Sequence, residues 1–259
     1  MTGHTLMAIP AFNDNYIWLI THPESNQAAV VDPGDATPVL AALDTLKLEL
    51  SSILITHHHY DHTGGIEALL EHYPATVYGP AASTNIDSIS APVKQHDTVT
   101  LKGLDLTFSV IETPGHTLDH IAYTTSNWAF VGDTLFAGGC GRLFEGTAEQ
   151  LYSSLRTLAA LSKETHIYCA HEYTLANLAF AKAVEPSNQD LLERFEKIKE
   201  IRIKNLPTLP SSVAQETLTN PFLRCHLHTI KASVEQHAGR ALKTEVDVFA
   251  ELRQWKDTF

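Results

Sequence analysis

Short extended runs of apolar residues fill the first part of the chain, and a helical rhythm fills the rest. Residues 6–9, 15–21 and 27–32 read as strands, separated by turn chemistry at Asn13-Asp14, His22-Pro23 and Pro33-Gly34. Val39, Leu40, Leu43 and Leu46 share one face of a helix predicted over 37–46. Ile53, Leu54 and Ile55 then form an apolar run that predicts a buried strand. It breaks into a histidine-loaded segment before Gly64-Gly65 opens a helix over 65–73. Strands follow at 76–78, 98–102, 105–112, 120–124 and 129–132, and the last two run straight into polar or glycine-rich segments. Thr147 and Gln150 make a capping box for a helix with Leu151, Leu155 and Leu158 on its buried face, and 166–170 is read as the final strand.

Beyond Tyr173 the periodicity is helical. Segments 175–184, the stretch carrying Leu191, Phe195 and Ile198, 229–238 and 244–256 are predicted helices, with 206–212 a loop. A boundary near 173/174 divides the chain into a catalytic domain, 1–173, and a helical C-terminal domain, 174–259. Strands interspersed with helices favour two sheets faced by helices over a doubly wound parallel sheet.

Composition narrows the function. The formal net charge of -12 excludes general electrostatic attraction to nucleic acid or to an anionic membrane, so an anionic substrate needs a local basic patch. Three widely spaced cysteines argue for a reducing compartment, and no secretory signal or spanning segment is evident. The expected protein is a cytoplasmic monomer acting on a small molecule.

Ligand-type residues recur at strand ends. In SSILITHHHYDHTGG, an extended segment would send His57, His59 and Asp61 one way and His58 and Tyr60 the other, with His62 following as helix begins. The alternative is a solvated histidine-rich loop. Against it, His116 follows Pro114-Gly115, Asp133 follows Gly132 at the end of an apolar strand, and His171 follows the final strand. This set partitions naturally over two ions. One takes His57, His59 and His116, the other takes Asp61, His62 and His171, and Asp133 bridges them at a separation of about 3.5–4 Å. A water between such ions deprotonates near neutral pH. Nitrogen and oxygen donors fit two divalent ions, zinc foremost, with iron or manganese as alternatives. His120, four residues after His116, is a candidate support for a ligand. Cys140 lies close by in sequence, but no base-and-orienter pair accompanies it, so it is not read as a nucleophile.

THHHYDHTGG, TPGHT, GDTLF and CAHEYT, in that order, resemble the metallo-β-lactamase superfamily. GDTLFAGGCGRLFEGTAEQ, HEYTLANLAFA, VEPSN, NPFLR and RQWKD narrow the resemblance to the glyoxalase II (hydroxyacylglutathione hydrolase) family. The resemblance implies an α+β fold, a four-layer αββα sandwich with a small all-α C-terminal domain that helps hold glutathione. It implies hydrolysis of S-(2-hydroxyacyl)glutathione, typically S-D-lactoylglutathione, by a metal-bridging hydroxide, with Asp133 and Asp61 catalytic. It also implies that Arg142, Phe144, Tyr173, Arg253 and Lys256 contact the substrate. Arg253 and Lys256 lie three apart on the last helix, whose packing stripe is Val248, Leu252 and Trp255. Phe144 departs from the Tyr common in the family and forgoes a hydroxyl hydrogen bond of about 1 kcal/mol. Alternatives are a lactonase or another thioesterase, a β-lactamase, a persulfide dioxygenase, a nucleic-acid-processing enzyme, or a metal-storing protein on a decayed site.

Overall fold

A computed structural model describes residues 3–101 and 103–259. It divides into two compact units. The first comprises the chain up to Glu112 with Asp119–Thr125 and Ala129–Gly132; the second comprises Thr113–Leu118, Ser126–Trp128 and Asp133–Phe259.

In the first unit, β1 (Thr5–Ala11), β2 (Asn15–Thr21) and β3 (Gln27–Val31) form an antiparallel meander. Helix α1 (Ala36–Leu46) then crosses to β4 (Glu49–Leu54), which pairs parallel to β3. Asp35 caps α1 by accepting from Thr37 N, and Lys47, in left-handed conformation, ends it. Two short helices, α2 (Tyr60–Thr63) and α3 (Ile66–Leu70), lead to β5 (Thr76–Pro80) and β6 (Ala91–Val93), both added in parallel. Val39 and Leu43 of α1 and Ile66 and Leu69 of α3 pack on Val30, Ile53 and Val77. Each wholly buried aliphatic side chain contributes about 1.5–3 kcal/mol to folding.

Strands β7 (Thr98–Leu101), β8 (Leu106–Glu112), β9 (Ile121–Thr124) and β10 (Trp128–Gly132) succeed one another as antiparallel neighbours in a second sheet. Lys102, where the sequence pattern ends the first of these, lies outside the described residues. Two bonds from β9 fix the segment after β4. Tyr123 donates its hydroxyl to Ile55 O at 3.0 Å, and Ile121 N–H donates to Thr56 O at 2.9 Å. The chain entering the histidine motif is therefore held to β9 at two successive carbonyls.

The second unit opens with a small hairpin, β11 (Leu135–Phe136) and β12 (Gly139–Cys140), and then α4 (Ala148–Ala159) with the predicted Thr147/Gln150 capping box. Strand β13 (His166–Cys169) is followed by α5 (Thr174–Val184) and α6 (Gln189–Ile203). It is not the last strand. Ser211–Ser212 forms β14 against it, two polar residues without any hydrophobic alternation to announce them. Helix α7 (Val213–Thr219) and a 3-10 turn at Pro221–Leu223, neither predicted, precede α8 (His228–Ala238) and α9 (Glu245–Thr258). Inside this unit Arg194 of α6 and Glu216 of α7 form a buried ion pair at 2.6 Å. Glu216 also accepts from Gly138 N at 2.8 Å and Asn220 Nδ2 at 3.0 Å, while Asn220 donates to Gly139 O at 2.9 Å. The β11–β12 hairpin is thus hydrogen-bonded to the helices behind it.

Candidate active site

In the first unit the ligand-type side chains fall into two pairs. His57 Nε2 and His59 Nδ1 lie 3.1 Å apart, and His62 Nε2 lies 3.5 Å from Asp61 Oδ2. The strand alternation expected from sequence does not produce this. Strand β4 ends at Leu54, and Asp61 and His62 belong to α2, where neighbouring side chains are about 100° apart instead of opposed.

A residue absent from the sequence reading orients both pairs. Asp32, buried at the end of β3 with φ +53°, accepts from Thr56 N and Thr56 Oγ1 at 2.8 Å each and from His62 Nδ1 at 3.0 Å. With its proton committed to Asp32, the Thr56 hydroxyl accepts from His57 Nδ1 at 3.0 Å. Both imidazoles are held as Nδ1–H tautomers, so the Nε2 lone pairs face outward as donors. The signal was there in VVDPG, a carboxylate at the tip of an apolar strand like that in FVGD, but it reads equally as turn chemistry.

Supporting contacts surround this core. Asn15 Nδ2 donates to Asp61 Oδ2 at 3.0 Å. His120 stacks on His57 with centroids 4.7 Å apart. Gly132 has φ +46°, and a Cβ there would lie 2.3 Å from Thr56 Oγ1 and 2.8 Å from His120 Nε2, so only glycine fits. His58 pairs instead with Asp119 at 3.0 Å.

The second unit presents Asp133 between two histidines. Its Oδ2 is 3.5 Å from His116 Nε2 and 3.4 Å from His171 Nε2. One carboxylate oxygen thus lies nearly equidistant from two imidazole nitrogens. His116 Nδ1 donates to Arg142 O at 2.9 Å, again leaving Nε2 as the donor. His171 stacks on Tyr173 with centroids 4.8 Å apart and planes 5° from parallel, and Phe136 meets both rings edge-on. Gly141 allows the close turn, since a Cβ there would lie 2.0 Å from Asp133 O. Imidazole and carboxylate donors whose outer atoms are already engaged fit divalent cations.

A cavity of about 460 Å³ opens in the same unit beside His116 and Asp133, lined by Phe144, Tyr173, Arg253 and Lys256 among others. Every substrate residue implied by the resemblance borders it, but they differ in character. The Arg142 side chain is 63% exposed, and Phe144 is exposed with its ring edge-on to His116, centroids 5.2 Å apart. Arg253 is buried. Its Nη1 donates to Cys140 O at 2.9 Å and its Nη2 to Asp257 Oδ1 at 3.1 Å. The lysine charge at Lys256 is made less favourable by burial and then by Arg253 and Arg142. Burial pushes the Cys140 thiol up to about 11, so it is neutral at physiological pH and a poor nucleophile. The local basic patch that an acidic chain needs for an anionic substrate is therefore present.

A model of the metallo-beta-lactamase superfamily matches residues 12–171, and a model of the hydroxyacylglutathione hydrolase C-terminus matches residues 172–259. The hydroxyacylglutathione hydrolase of Alkalilimnicola ehrlichii is 53% identical over 97% of this chain and 98% of its own. The chain belongs to the hydroxyacylglutathione hydrolase family. Among solved structures, ETHE1 from Myxococcus xanthus superposes with a TM-score of 0.66 at 27% identity, covering 97% of this chain and 89% of that one. A metallo-beta-lactamase from Staphylococcus aureus gives 0.65 at 18% identity, over 99% and 72%, a likeness of fold alone. The fold is thus the α+β metallo-β-lactamase fold with the helical C-terminal region of a hydroxyacylglutathione hydrolase.

Proposed function

We propose that the chain hydrolyses S-(2-hydroxyacyl)glutathione, typically S-D-lactoylglutathione, to glutathione and a 2-hydroxy acid, the second step of methylglyoxal detoxification. The observation that carries this reading is Asp133 Oδ2 set between His116 and His171 beside a basic cavity. In the proposed centre His57, His59 and His116 would hold one divalent ion, Asp61, His62 and His171 would hold the other, and Asp133 would serve both. Zinc is the first candidate, iron and manganese the others. Two divalent ions bound there would supply Lewis-acid polarisation of the thioester carbonyl and a hydroxide nucleophile at neutral pH.

The chain's own residues do the rest. Asp32 and Thr56 keep the His57 and His62 donors aimed. Arg142 and Lys256 hold the carboxylates of the glutathione moiety through charge-assisted bonds. Tyr173 and Phe144 flank it, and Arg253 supports the cavity floor at Cys140 O. A departing thiolate, with a thiol pKa of about 8.5, needs no dedicated general acid.

We place the helical domain at 174–259, as a contributor to glutathione binding, and the protein in the cytoplasm as a monomer without nucleic-acid or membrane partners. The three cysteines are buried and not joined in disulfides, and no helix among the described residues is long and apolar enough to cross a membrane. The test is thiol release from S-D-lactoylglutathione by metal-analysed protein, with a coenzyme A thioester, a lactone and a β-lactam run beside it. Selective release from the glutathione thioester is expected. Faster turnover of a lactone or a β-lactam would replace this reading with that activity.

A further inference from the structure

Asp257 lies next to Lys256 on α9, and one of its oxygens serves two guanidinium groups. Oδ1 is 3.1 Å from Arg253 Nη2 and 3.4 Å from Arg142 Nε. The two arginines differ. Arg253 is buried and tied through Nη1 to Cys140 O, so its position is already fixed. Arg142 has an exposed side chain, although its backbone carbonyl is held by His116 Nδ1. An exposed arginine side chain samples many rotamers, and ordering it on binding weakens affinity. Anchoring at Nε removes much of that freedom and leaves the Nη end of the fork for a second carboxylate.

The same oxygen sits among three like charges. Arg142, Arg253 and Lys256 all border one cavity, and the two arginines disfavour the Lys256 charge while Asp257 favours it. A cationic cluster without an internal anion would spread apart or lose a proton.

We propose that Asp257 is a positioning residue for substrate specificity: through Arg142 it presets a cation of the cavity for a carboxylate of glutathione. This rests on the glutathione reading above and deepens it. A simple field argument gives the opposite sign, since deleting an anion from a cationic cavity should tighten anion binding. The sign of the effect therefore decides between preorganisation and bulk charge.

The experiment uses the metal-loaded full chain with S-D-lactoylglutathione and with S-D-lactoyl-N-acetylcysteamine, a thioester lacking both carboxylates. Asp257→Asn should raise KM for the glutathione thioester about five- to tenfold, with kcat within about twofold. Turnover of the truncated thioester should not change, and Asp257→Glu should restore most of the loss. In an Arg142→Ala background, Asp257→Asn should add less than about twofold, since both changes remove one interaction. A lowered or unchanged KM overturns the proposal. So does an equal loss on both thioesters, the mark of general structural damage, or full additivity with Arg142→Ala. Failure of the glutathione reading shows itself separately, as equal turnover of the two thioesters by the wild-type protein, and takes this proposal with it.

Discussion

The two units present their ligand-type residues by different means. In the first, His57, His59, Asp61 and His62 lie within six consecutive positions, and one buried carboxylate, Asp32, orients two of them through Thr56 and directly. In the second, His116, Asp133 and His171 are far apart in sequence, and their surroundings are fixed by backbone carbonyls and by helices behind a hairpin. The first arrangement depends on a local hydrogen-bond relay, the second on long-range packing. Substitutions should therefore fail differently in the two, through ligand aim in one and through placement of whole segments in the other.

The largest expected effect is at the residue shared by the proposed ions. Asp133→Ala should lower kcat by about a thousandfold or more, read by steady-state kinetics beside metal analysis. Near-normal turnover with both ions retained would remove Asp133 from the mechanism. Next, Glu216→Leu leaves Arg194 charged, buried and unpaired, and should cost about 3–5 kcal/mol in urea unfolding. A loss below about 1 kcal/mol would show that the second unit does not depend on its buried pair.

Asp32→Asn should weaken zinc retention against a chelator, and turnover, by about 10- to 100-fold, with little change in unfolding. A loss of stability without a loss of metal would reverse the contrast between the units. Phe144→Tyr restores a hydroxyl at an exposed ring of the cavity and should lower KM for the glutathione thioester by about fivefold, about 1 kcal/mol. Smallest at neutral pH is the titration of Lys256. Its pKa is lowered by burial and by Arg253 and Arg142, so the charge is complete at low pH and is lost, as pH rises, earlier than in a free lysine. KM should climb on the alkaline side, and Lys256→Arg should move that climb to higher pH.

The same contrast explains what could be read from the chain. The strand-end histidines and carboxylates stand out because these residue types rarely recur at strand ends, and the Thr147/Gln150 capping box is a local signal that forms as predicted. The alternation expected for the first motif fails in part: it takes 57–61 as extended with helix following at His62, whereas a helix begins at Tyr60, a switch that periodicity cannot resolve. Asp32 was hidden because a carboxylate before Pro-Gly looks like a turn residue. Strand β14 was hidden because two serines carry no hydrophobic pattern and pair only through β13. Periodicity gives no sign that Arg253 is buried, because its partners, Cys140 and Asp257, lie 113 and 4 residues away. Asp257 escaped notice for the same reason. The residue matches to the glyoxalase II family indicated the chemistry; long-range packing determined which charged groups are exposed.

The most direct test of the account is a zinc titration of metal-free protein, with thiol release from S-D-lactoylglutathione followed at each addition. The account predicts activity that rises to a plateau at two equivalents per chain. A plateau at one equivalent, or two bound ions with no thiol released, would contradict it.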